Sequence, residues 1–411
     1  MPAVLAHRPQ DLVITGARIV DPHHPHSADG LSRIRVSGST IREIGPAAAV
    51  SGEKVDLVID ADGRFAVPGL VNAHDHLYSH ELREPLPGLG LAGMRRWLDS
   101  RTEHETMFTM LATAQGQLGQ GITTIRDLGA AGGLNTVLAG LLGHGTVAGP
   151  TIVAAGRPVV MTGGHVWTFG RQADGPWDCR RAVREQARAG AQVIKIMGSG
   201  GLSHYPAEDF TVEQFTDEEL AAVIDEAHRV GLPTCSHVFG AEAVERVVRL
   251  GIDSVEHGVQ ISDETLELMA RNGVGYVPTL TNMERIASPE YNAAAGTPGR
   301  SEVLTVGVVE PHRQTVRRAM EAGVRIAVGT DSTGDYTEEL VRLVELGMDP
   351  QGALIAATIN GAHICRQPAG LITPGLRADL ALYSDDPRDD ISVLTHPGYV
   401  VSAGAVVRVP M

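Results

Sequence analysis

The run FAVPGLVNAHDH, residues 65–76, is a short apolar segment that ends in two histidines. Seven further short apolar runs follow it, and amphipathic segments of helix length separate them. This alternation is typical of stacked βα units with a parallel sheet, and it predicts an α/β fold, a (β/α)8 TIM barrel. The eight predicted strands are FAVPGLVNAH (65–74), TTIRDL (123–128), TIVAAG (151–156), QVIKIM (192–197), PTCSHV (233–238), DSVEHG (253–258), GYVPTL (275–280) and RIAVGTD (325–331).

The two ends of the chain have a different sequence pattern from the segment between them. Residues 11–66 hold short β-like runs between Pro, Gly and Asp turns, with no room for a long helix, and similar runs return at 378–387 and 399–409. We therefore expect residues 1–66 and 370–411 to form one small discontinuous β-sandwich domain beside a barrel of residues 67–369. Helices are predicted at 217–231 and 241–251, each closed by a glycine suited to a left-handed C-cap.

Composition narrows the class of partner and the compartment. The formal net charge of −15 argues against a nucleic-acid groove or an anionic membrane surface, so neither partner is expected. The three cysteines, Cys179, Cys235 and Cys365, are odd in number and far apart, which fits a reducing compartment and no cysteine zinc site. No signal peptide or run of about 18 apolar residues is present, so the expected location is the cytoplasm.

The first predicted strand ends at a candidate site. His74 and His76 are two residues apart, so on a strand both imidazoles point to the same side. Catalytic groups of TIM barrels collect at the C-terminal ends of the strands, where this pair lies. The pair alone is weak support, because the chain has 17 histidines.

Lys195 lies between Ile194 and Ile196 in the fourth predicted strand, which a parallel barrel buries. A buried, unpaired lysine is costly. Three explanations stand: a salt-bridged structural lysine, a Schiff-base lysine, or a lysine that carbon dioxide converts into a carbamate ligand.

The neighbours of Lys195 in the barrel bear on this choice. His237, His257 and Asp331 each end a predicted strand, the fifth, sixth and eighth respectively. Singly, each fits a core residue, since buried histidines are common. Together with His74 and His76, they place five potential metal ligands at equivalent heights around one lysine, which favours a metal site.

Several motifs resemble those of the amidohydrolase superfamily, in its branch of imidazolonepropionase-like proteins, metal-dependent carboxypeptidases and prolidases. These are VPGLVNAHDHL, VIKIMGSGG, VEHG, VGTDS and the closing ATINGA with GLITPGLRADLALYSDDP, in the expected order along nearly the whole chain. The resemblance implies two divalent metal ions, with zinc expected. It assigns one metal to His74, His76 and Asp331, the other to His237 and His257, and the bridge to a carbamate (CO2 adduct) on Lys195. Barrels of this kind commonly assemble through their helices, so a homo-oligomer is also an expectation.

The implied mechanism is hydrolysis of an amide-type bond. Two metal ions lower the pKa of a shared water, so a bridging hydroxide exists near neutral pH, and they polarise the scissile carbonyl. Asp331 is the expected base that takes the proton and passes it to the leaving amine.

Loops after the strands are expected to form the pocket. The loop at 157–178 carries Trp167, Phe169 and Trp177, which either pack on the barrel rim or form a lid over the substrate. His165, in the stretch TGGH, resembles a family histidine that reaches the substrate carbonyl, and is a candidate oxyanion donor.

Two further features bear on the pocket. The glycine-rich stretch after Lys195 is expected to be a pocket loop rather than a phosphate loop, because it lacks the GxxxxGK[ST] pattern. Phe239 stands where relatives that cleave dipeptides often carry a tyrosine, so His165 or Tyr205 must supply that donor, or the substrate differs.

These observations leave three alternative functions. The first is binuclear hydrolysis of a peptide or small amide C–N bond, carboxypeptidase-like or removing a follower peptide, as in bottromycin-type natural-product processing. The alternative is a mononuclear deaminase or cyclic-imide hydrolase, which Lys195 disfavours because such relatives commonly lack it. The third is a non-enzymatic scaffold, which six intact positions disfavour.

Overall fold

The computed structural model describes residues 3–4, 9–20, 30–47, 55–83, 91–202 and 208–408. The strands are β1 (Ala3–Val4), β2 (Leu12–Ile19), β3 (Ser32–Ser37), β4 (Thr40–Pro46), β5 (Leu57–Asp60), β6 (Phe65–Pro68), β7 (Leu70–Asp75), β8 (Ile122–Asp127), β9 (Thr151–Ala154), β10 (Val159–Val160), β11 (Arg171–Gln172), β12 (Ile194–Met197), β13 (Thr234–Val238), β14 (Ser254–His257), β15 (Gly275–Val277), β16 (Arg325–Ile326), β17 (Leu380–Tyr383), β18 (Tyr399–Ser402) and β19 (Ala405–Arg408).

Helices separate most of these strands. They are α1 (Leu91–Asp99), α2 (Glu103–Gly119), α3 (Leu134–Gly143), α4 (Pro176–Arg188), α5 (Asp217–Arg229), α6 (Ala241–Arg249), α7 (Asp263–Asn272), α8 (Leu280–Ala287), α9 (Pro289–Ala294), α10 (Arg300–Leu304), α11 (Glu310–Glu321), α12 (Tyr336–Glu345), α13 (Pro350–Ile355) and α14 (Gly361–Ile364). Within the described ranges, none of them combines the length and the apolar character that crossing a membrane requires.

Eight parallel strands close into a barrel. One parallel set is β7–β8–β9 and the other is β12–β13–β14–β15–β16. The Gln192 N–H donates to the Ala154 carbonyl (2.8 Å) and joins the sets on one side, while the Ala73 N–H donates to Val328 (2.8 Å) and joins them on the other. The predicted α/β barrel is therefore confirmed.

The sequence pattern explains the barrel helices. Thr216 and Glu219 form a capping box at the start of α5, which satisfies backbone N–H groups that the helix leaves free. Gly231 and Gly251 follow α5 and α6 with φ of +80° and +95°, a region that favours glycine. Both predicted helices are present, and each ends two residues before its glycine.

Strands from both chain ends share a second sheet. Its order is β1–β19–β18–β17–β6–β2–β3–β4, with β5 paired to β2. Residues from both ends, such as Ile34, Val36, Leu380 and Val401, bury one common apolar core. The predicted additional β domain is therefore present, whereas its exact bounds, 1–66 and 370–411, stay a prediction.

The first predicted strand is wrong as a single strand. Its beginning is β6, which pairs with β17 and β2 in the terminal sheet, and its end is β7 of the barrel. Gly69 separates the two: a Cβ atom there would overlap the Thr123 side chain, and its N–H donates to the Asp379 carbonyl (2.9 Å). The apolar pattern runs through both strands, so periodicity alone did not reveal the change of sheet.

Candidate metal centre and active site

One cavity at the C-terminal end of the barrel contains the predicted site. Parallel register places Met197 beside His237 and Val238 beside His257, which brings neighbouring strand ends to a common height. All six predicted ligand positions line this cavity: His74, His76, Lys195, His237, His257 and Asp331.

His74, His76 and Asp331 form the tightest group. One potential ligand atom from each lies within 4.8 Å of the other two. Asp331 Oδ1 is 3.4 Å from His74 Nε2 and 3.6 Å from His76 Nε2. Its other oxygen, Oδ2, is 3.9 Å from His257 Nε2. This spacing suits atoms that surround one ion, and it places His257 next to the same carboxylate.

The second predicted pair, His237 and His257, is also in contact. The two rings pack edge to face with centroids 4.7 Å apart, and the His257 ring lies 5.0 Å from that of His74. The structure therefore brings both predicted metal positions together, while the assignment of individual ligands stays a prediction.

Each of the four imidazoles has one nitrogen held by a neighbour, which leaves the other for a ligand bond. Metal-binding histidines are commonly oriented in this way. The pairs are His74 Nδ1 with Glu256 Oε2 (2.8 Å), His76 Nδ1 with the Gly129 carbonyl (2.9 Å), His237 Nε2 with the Gly200 carbonyl (3.0 Å) and His257 Nδ1 with Thr279 Oγ1 (2.8 Å).

Burial keeps these groups in the form that binds a metal. Desolvation lowers the pKa of His76 to about 4 and holds those of His237 and His257 well below the usual range. For Asp331 burial opposes ionisation, but the neighbouring histidines, His74 first, bring its pKa well below the ordinary value. At neutral pH His76, His237 and His257 are therefore neutral and Asp331 is a carboxylate, as metal binding requires.

Lys195 is 1% exposed, and its Nζ has no hydrogen-bond partner in the part of the chain that the structure describes. No salt bridge of Lys195 is found within those ranges either, which disfavours the structural explanation. Desolvation lowers the pKa of the amine, so more of it is unprotonated and able to attack carbon dioxide. An orphaned amine among four imidazoles and a carboxylate fits a carbamate ligand better than a Schiff base.

Sequence reasoning missed the charged pair that supports His74. Arg126 on β8 donates through Nη2 to Glu256 Oε1 (2.7 Å) and through Nη1 to Ser254 Oγ (3.0 Å), and Glu256 in turn holds His74. Burial opposes ionisation of Glu256, but the Arg126 charge takes its pKa well below the ordinary value. The signal was available, because both residues are charges inside buried strands, as Lys195 is.

The backbone at the site is strained. His257, Thr279, Asp331 and Ser332 all have φ between +45° and +69°, a left-handed region that costs non-glycine residues free energy. Two of the four are predicted ligands, and Thr279 holds one of them. The barrel therefore sets these side chains in orientations that the local sequence alone disfavours.

His165 lies where the prediction requires it, although its role as a donor stays a prediction. Its ring stacks on His237 with centroids 4.5 Å apart, and Nδ1 is 3.1 Å from Glu208 Oε2. A Cβ atom on Gly201 would overlap this ring, which explains one glycine of the stretch after Lys195. Leu202 of the same stretch lines the cavity, as expected for a pocket loop.

Aromatic residues of the predicted pocket have separate places. Phe239 is buried and stacks on His257 (5.3 Å, 9°), so its position offers packing and no hydroxyl, while Tyr205 lies outside the described residues. Phe169 lines the cavity and packs on Tyr78 (5.4 Å). Trp177 is 82% exposed on α4, so neither of the two expected roles, rim packing or lid, holds for it.

The segment from α8 to α10, which we call the α8–α10 wall, forms another side of the cavity. It follows β15 and has no counterpart in the sequence prediction. Asn282 of α8 donates through Nδ2 to Asp331 Oδ2 (2.6 Å) and so holds one oxygen of this carboxylate. The wall contributes Asn282, Met283, Ile286, Tyr291, Ala295 and Arg300 to the lining.

Comparisons with known proteins agree on the family. Residues 65–407 match the sequence model of the Amidohydrolase family. An uncharacterised Mycobacterium tuberculosis protein is 29% identical over 84% of this chain and 85% of its own length, and Aspergillus niger ochratoxinase is 31% identical over 68% and 63%.

Solved structures give the same result. A Xaa-Pro dipeptidase with bound methionine in the active site superimposes with a TM-score of 0.84 and 28% identity over 97% of this chain and all of that one. A prolidase complexed with N-methylphosphonate-L-proline gives 0.84 and 26% over the same shares. The chain belongs to the amidohydrolase family, whose members generally use divalent metals, and it is a hydrolase that acts on C–N bonds.

Proposed function

We propose that this protein is a binuclear metal-dependent amidohydrolase that removes a C-terminal residue from a peptide or an N-acyl amino acid. The observation that carries the proposal is Lys195, a buried amine without a hydrogen-bond partner in the described ranges, in one cavity with four histidines and Asp331. A site for one metal needs no such amine, whereas a carbamate gives two metals a shared ligand.

The donor set divides into two groups in this proposal. His74, His76 and Asp331 would hold one ion, His237 and His257 the other, and Lys195 as a carbamate would bind both. Two bound divalent ions would supply an activated water and polarise the scissile carbonyl.

The protein's own groups then position the substrate and move the proton. Asp331 would accept a proton from the activated water and deliver it to the leaving amine, while Asn282 holds its Oδ2 in place. His165 faces the cavity beside His237 and would donate to the substrate carbonyl. Apolar side chains such as Phe169 and Met197 line the same cavity and exclude water from the reacting bond.

The relatives support the substrate class. One similar structure is a Xaa-Pro dipeptidase with methionine in its active site, another is a prolidase with a phosphonate derivative of proline, and a third relative is an ochratoxinase. Phe239 lacks the tyrosine hydroxyl of many dipeptide-cleaving relatives, so longer peptides or N-acyl amino acids are the first candidates. Removal of a follower peptide from a bottromycin-type precursor is one version of this proposal.

The test is metal content per chain together with hydrolysis, on protein purified without chelator. We expect about two metals in the wild type, and about one or none with loss of hydrolysis in Lys195→Ala. The substrate panel contains dipeptides, N-acyl amino acids and longer peptides with free carboxyl ends.

Other results would contradict the proposal. One metal per chain in both proteins would exclude the bridged pair and favour the mononuclear deaminase or cyclic-imide hydrolase. Full metal content with no hydrolysis of any compound would favour the scaffold.

A further inference from the structure

Arg300 is a charged residue of the cavity that amide hydrolysis itself does not use. Among the described residues that line the cavity, the charged side chains other than histidine are Lys195, Asp331 and Arg300. The first two belong to the candidate metal site. Arg300 begins α10 and is only 9% exposed, although arginine is rarely buried without a reason.

The chemistry of Arg300 favours an anionic group. Its guanidinium donates to the Leu202 carbonyl, which ties it to the loop that follows Lys195. A guanidinium carries five N–H donors in a planar fork, and this geometry matches the two oxygens of a carboxylate. A substrate carboxylate that enters the cavity therefore finds one guanidinium on the α8–α10 wall.

Tyr291 of α9 faces the same cavity as Arg300. Burial raises the pKa of the Tyr291 hydroxyl and the Arg300 charge partly offsets this, so the hydroxyl stays protonated at neutral pH. Both side chains line the cavity. A neutral donor and a guanidinium that line one cavity can both donate to one carboxylate.

An apolar surface connects this pair to the candidate metal site. Phe239 stacks on His257, and it packs in one apolar cluster with Leu202, Met283 and Ile286. The Leu202 carbonyl in turn contacts Arg300. A substrate that reaches from the metal site to Arg300 lies along this surface.

We infer that Arg300 and Tyr291 bind the α-carboxylate of the substrate, while Met283 and Ile286 contact the apolar side chain next to it. The inference rests on the proposed function and names its substrate class, peptides or N-acyl amino acids with an apolar C-terminal residue and a free carboxylate. Hydrolysis breaks the acyl C–N bond, adds the water oxygen to the acyl carbon and releases the amino acid after its nitrogen takes a proton.

The test uses a matched pair of compounds, N-benzoyl-L-phenylalanine and N-benzoyl-L-phenylalaninamide, with benzoate release as the readout on metal-loaded protein. For the wild type we expect kcat/KM to favour the free acid by about 100-fold or more, because its carboxylate makes charge-assisted bonds. This preference should fall about 30-fold in Arg300→Gln and about 5-fold in Tyr291→Phe, which lose a charged and a neutral donor. Arg271→Gln, at an exposed arginine of α7, is the control and keeps the wild-type preference.

The experiment distinguishes a failure of this inference from a failure of the proposed function. Equal wild-type rates on both compounds would overturn the inference and leave the proposed amide hydrolysis standing. If Arg300→Gln lowers kcat/KM equally for both compounds, Arg300 has a structural role and the inference is overturned as well. If Arg300→Gln does not fold, the wild-type preference and Tyr291→Phe decide. A metal-loaded wild type that hydrolyses no amide at all would contradict the proposed function.

Discussion

The candidate metal site and the α8–α10 wall face the same cavity, but the chain holds them in different ways. The ligands stand at the ends of barrel strands, and a buried polar neighbour fixes each imidazole, as Glu256 fixes His74. The wall consists of three short helices that rest on apolar packing of residues such as Met283 and Ile286. Strand register thus brings the predicted ligands together, whereas the segment between β15 and α11 forms the wall that we propose selects the substrate.

The largest effect should come from the carboxylate where the two regions meet. Asp331→Asn keeps the shape and the contact with Asn282 but removes the proton acceptor, so kcat should fall about 1000-fold or more. The check is single-turnover hydrolysis together with metal content. The control is Asp225→Asn, at an exposed carboxylate of α5. A variant that keeps its metals and more than a tenth of the wild-type rate would contradict the role of Asp331.

The polar support of the metal site predicts a change in both stability and metal binding. Glu256→Gln leaves the buried Arg126 without its carboxylate, so the free energy of unfolding should fall by about 3–5 kcal/mol. Metal affinity should fall about 10- to 100-fold, because His74 loses its partner. Urea unfolding and metal titration measure the two quantities.

A double variant separates the effect on the free energy of unfolding from the effect on metal affinity. Arg126→Met with Glu256→Gln should recover much of the stability, since no buried charge remains, but not the metal affinity. Recovery of both would show that Glu256 supports only the fold.

The candidate metal site is more predictable from the sequence than the α8–α10 wall. His74, Lys195 and Asp331 are predictable because each ends or interrupts a short apolar run, and the barrel brings strand ends together whatever the loops do. Arg126 and Glu256 carry the same signal, a charge inside a buried strand, and are predictable on the same ground. The missed break at Gly69 shows the limit of periodicity, since two consecutive strands of different sheets have the same apolar pattern.

The residues of the wall were not predictable in this way. Tyr291 and Arg300 lie on short helices after β15, and tertiary packing decides which side of such a helix meets the cavity. The left-handed backbone at His257 likewise follows from the closed barrel, because local preference opposes it.

The support of the wall should respond to pH near neutrality. Glu339 on α12 accepts the N–H groups of Leu280 and Thr281 (both 2.8 Å) at the start of α8, and burial raises its pKa to about 7. The raised value means that the protonated form is favoured in the folded state. The stabilisation that protonated Glu339 gives to the folded state is therefore complete below its unfolded pKa of 4.5. This stabilisation is lost as the pH rises through about 7.

This shift amounts to about 3 kcal/mol between pH 4.5 and pH 7 and above. The measurement is the free energy of unfolding at pH 5 and pH 8. Glu339→Gln should be less stable at pH 5 but show a flatter dependence on pH. If the free energy of unfolding depends on pH equally in the wild type and in Glu339→Gln, Glu339 does not cause the pH dependence.

The smallest expected effect concerns the boundary between the two regions. Phe239→Tyr adds a hydroxyl beside His257, at the position where dipeptide-cleaving relatives often carry one. If this hydroxyl reaches the substrate carbonyl, kcat/KM for dipeptides should rise about 10-fold, a fraction of what one well-placed donor contributes. Dipeptide assays of both proteins provide the check, and a decrease for every dipeptide would show that the buried ring position tolerates no polar atom.

In the proposed function, Lys195 carries a carbamate that two metals share. The chain offers a clean test, because its two lysines are Lys54 and Lys195. Metal-loaded protein prepared with 13C-labelled bicarbonate should give one carbamate signal by carbon NMR in the wild type and in Lys54→Arg, and none in Lys195→Ala. A wild type with two metals per chain and no carbamate signal, or the same signal at unchanged chemical shift in Lys195→Ala, would contradict a carbamate on Lys195.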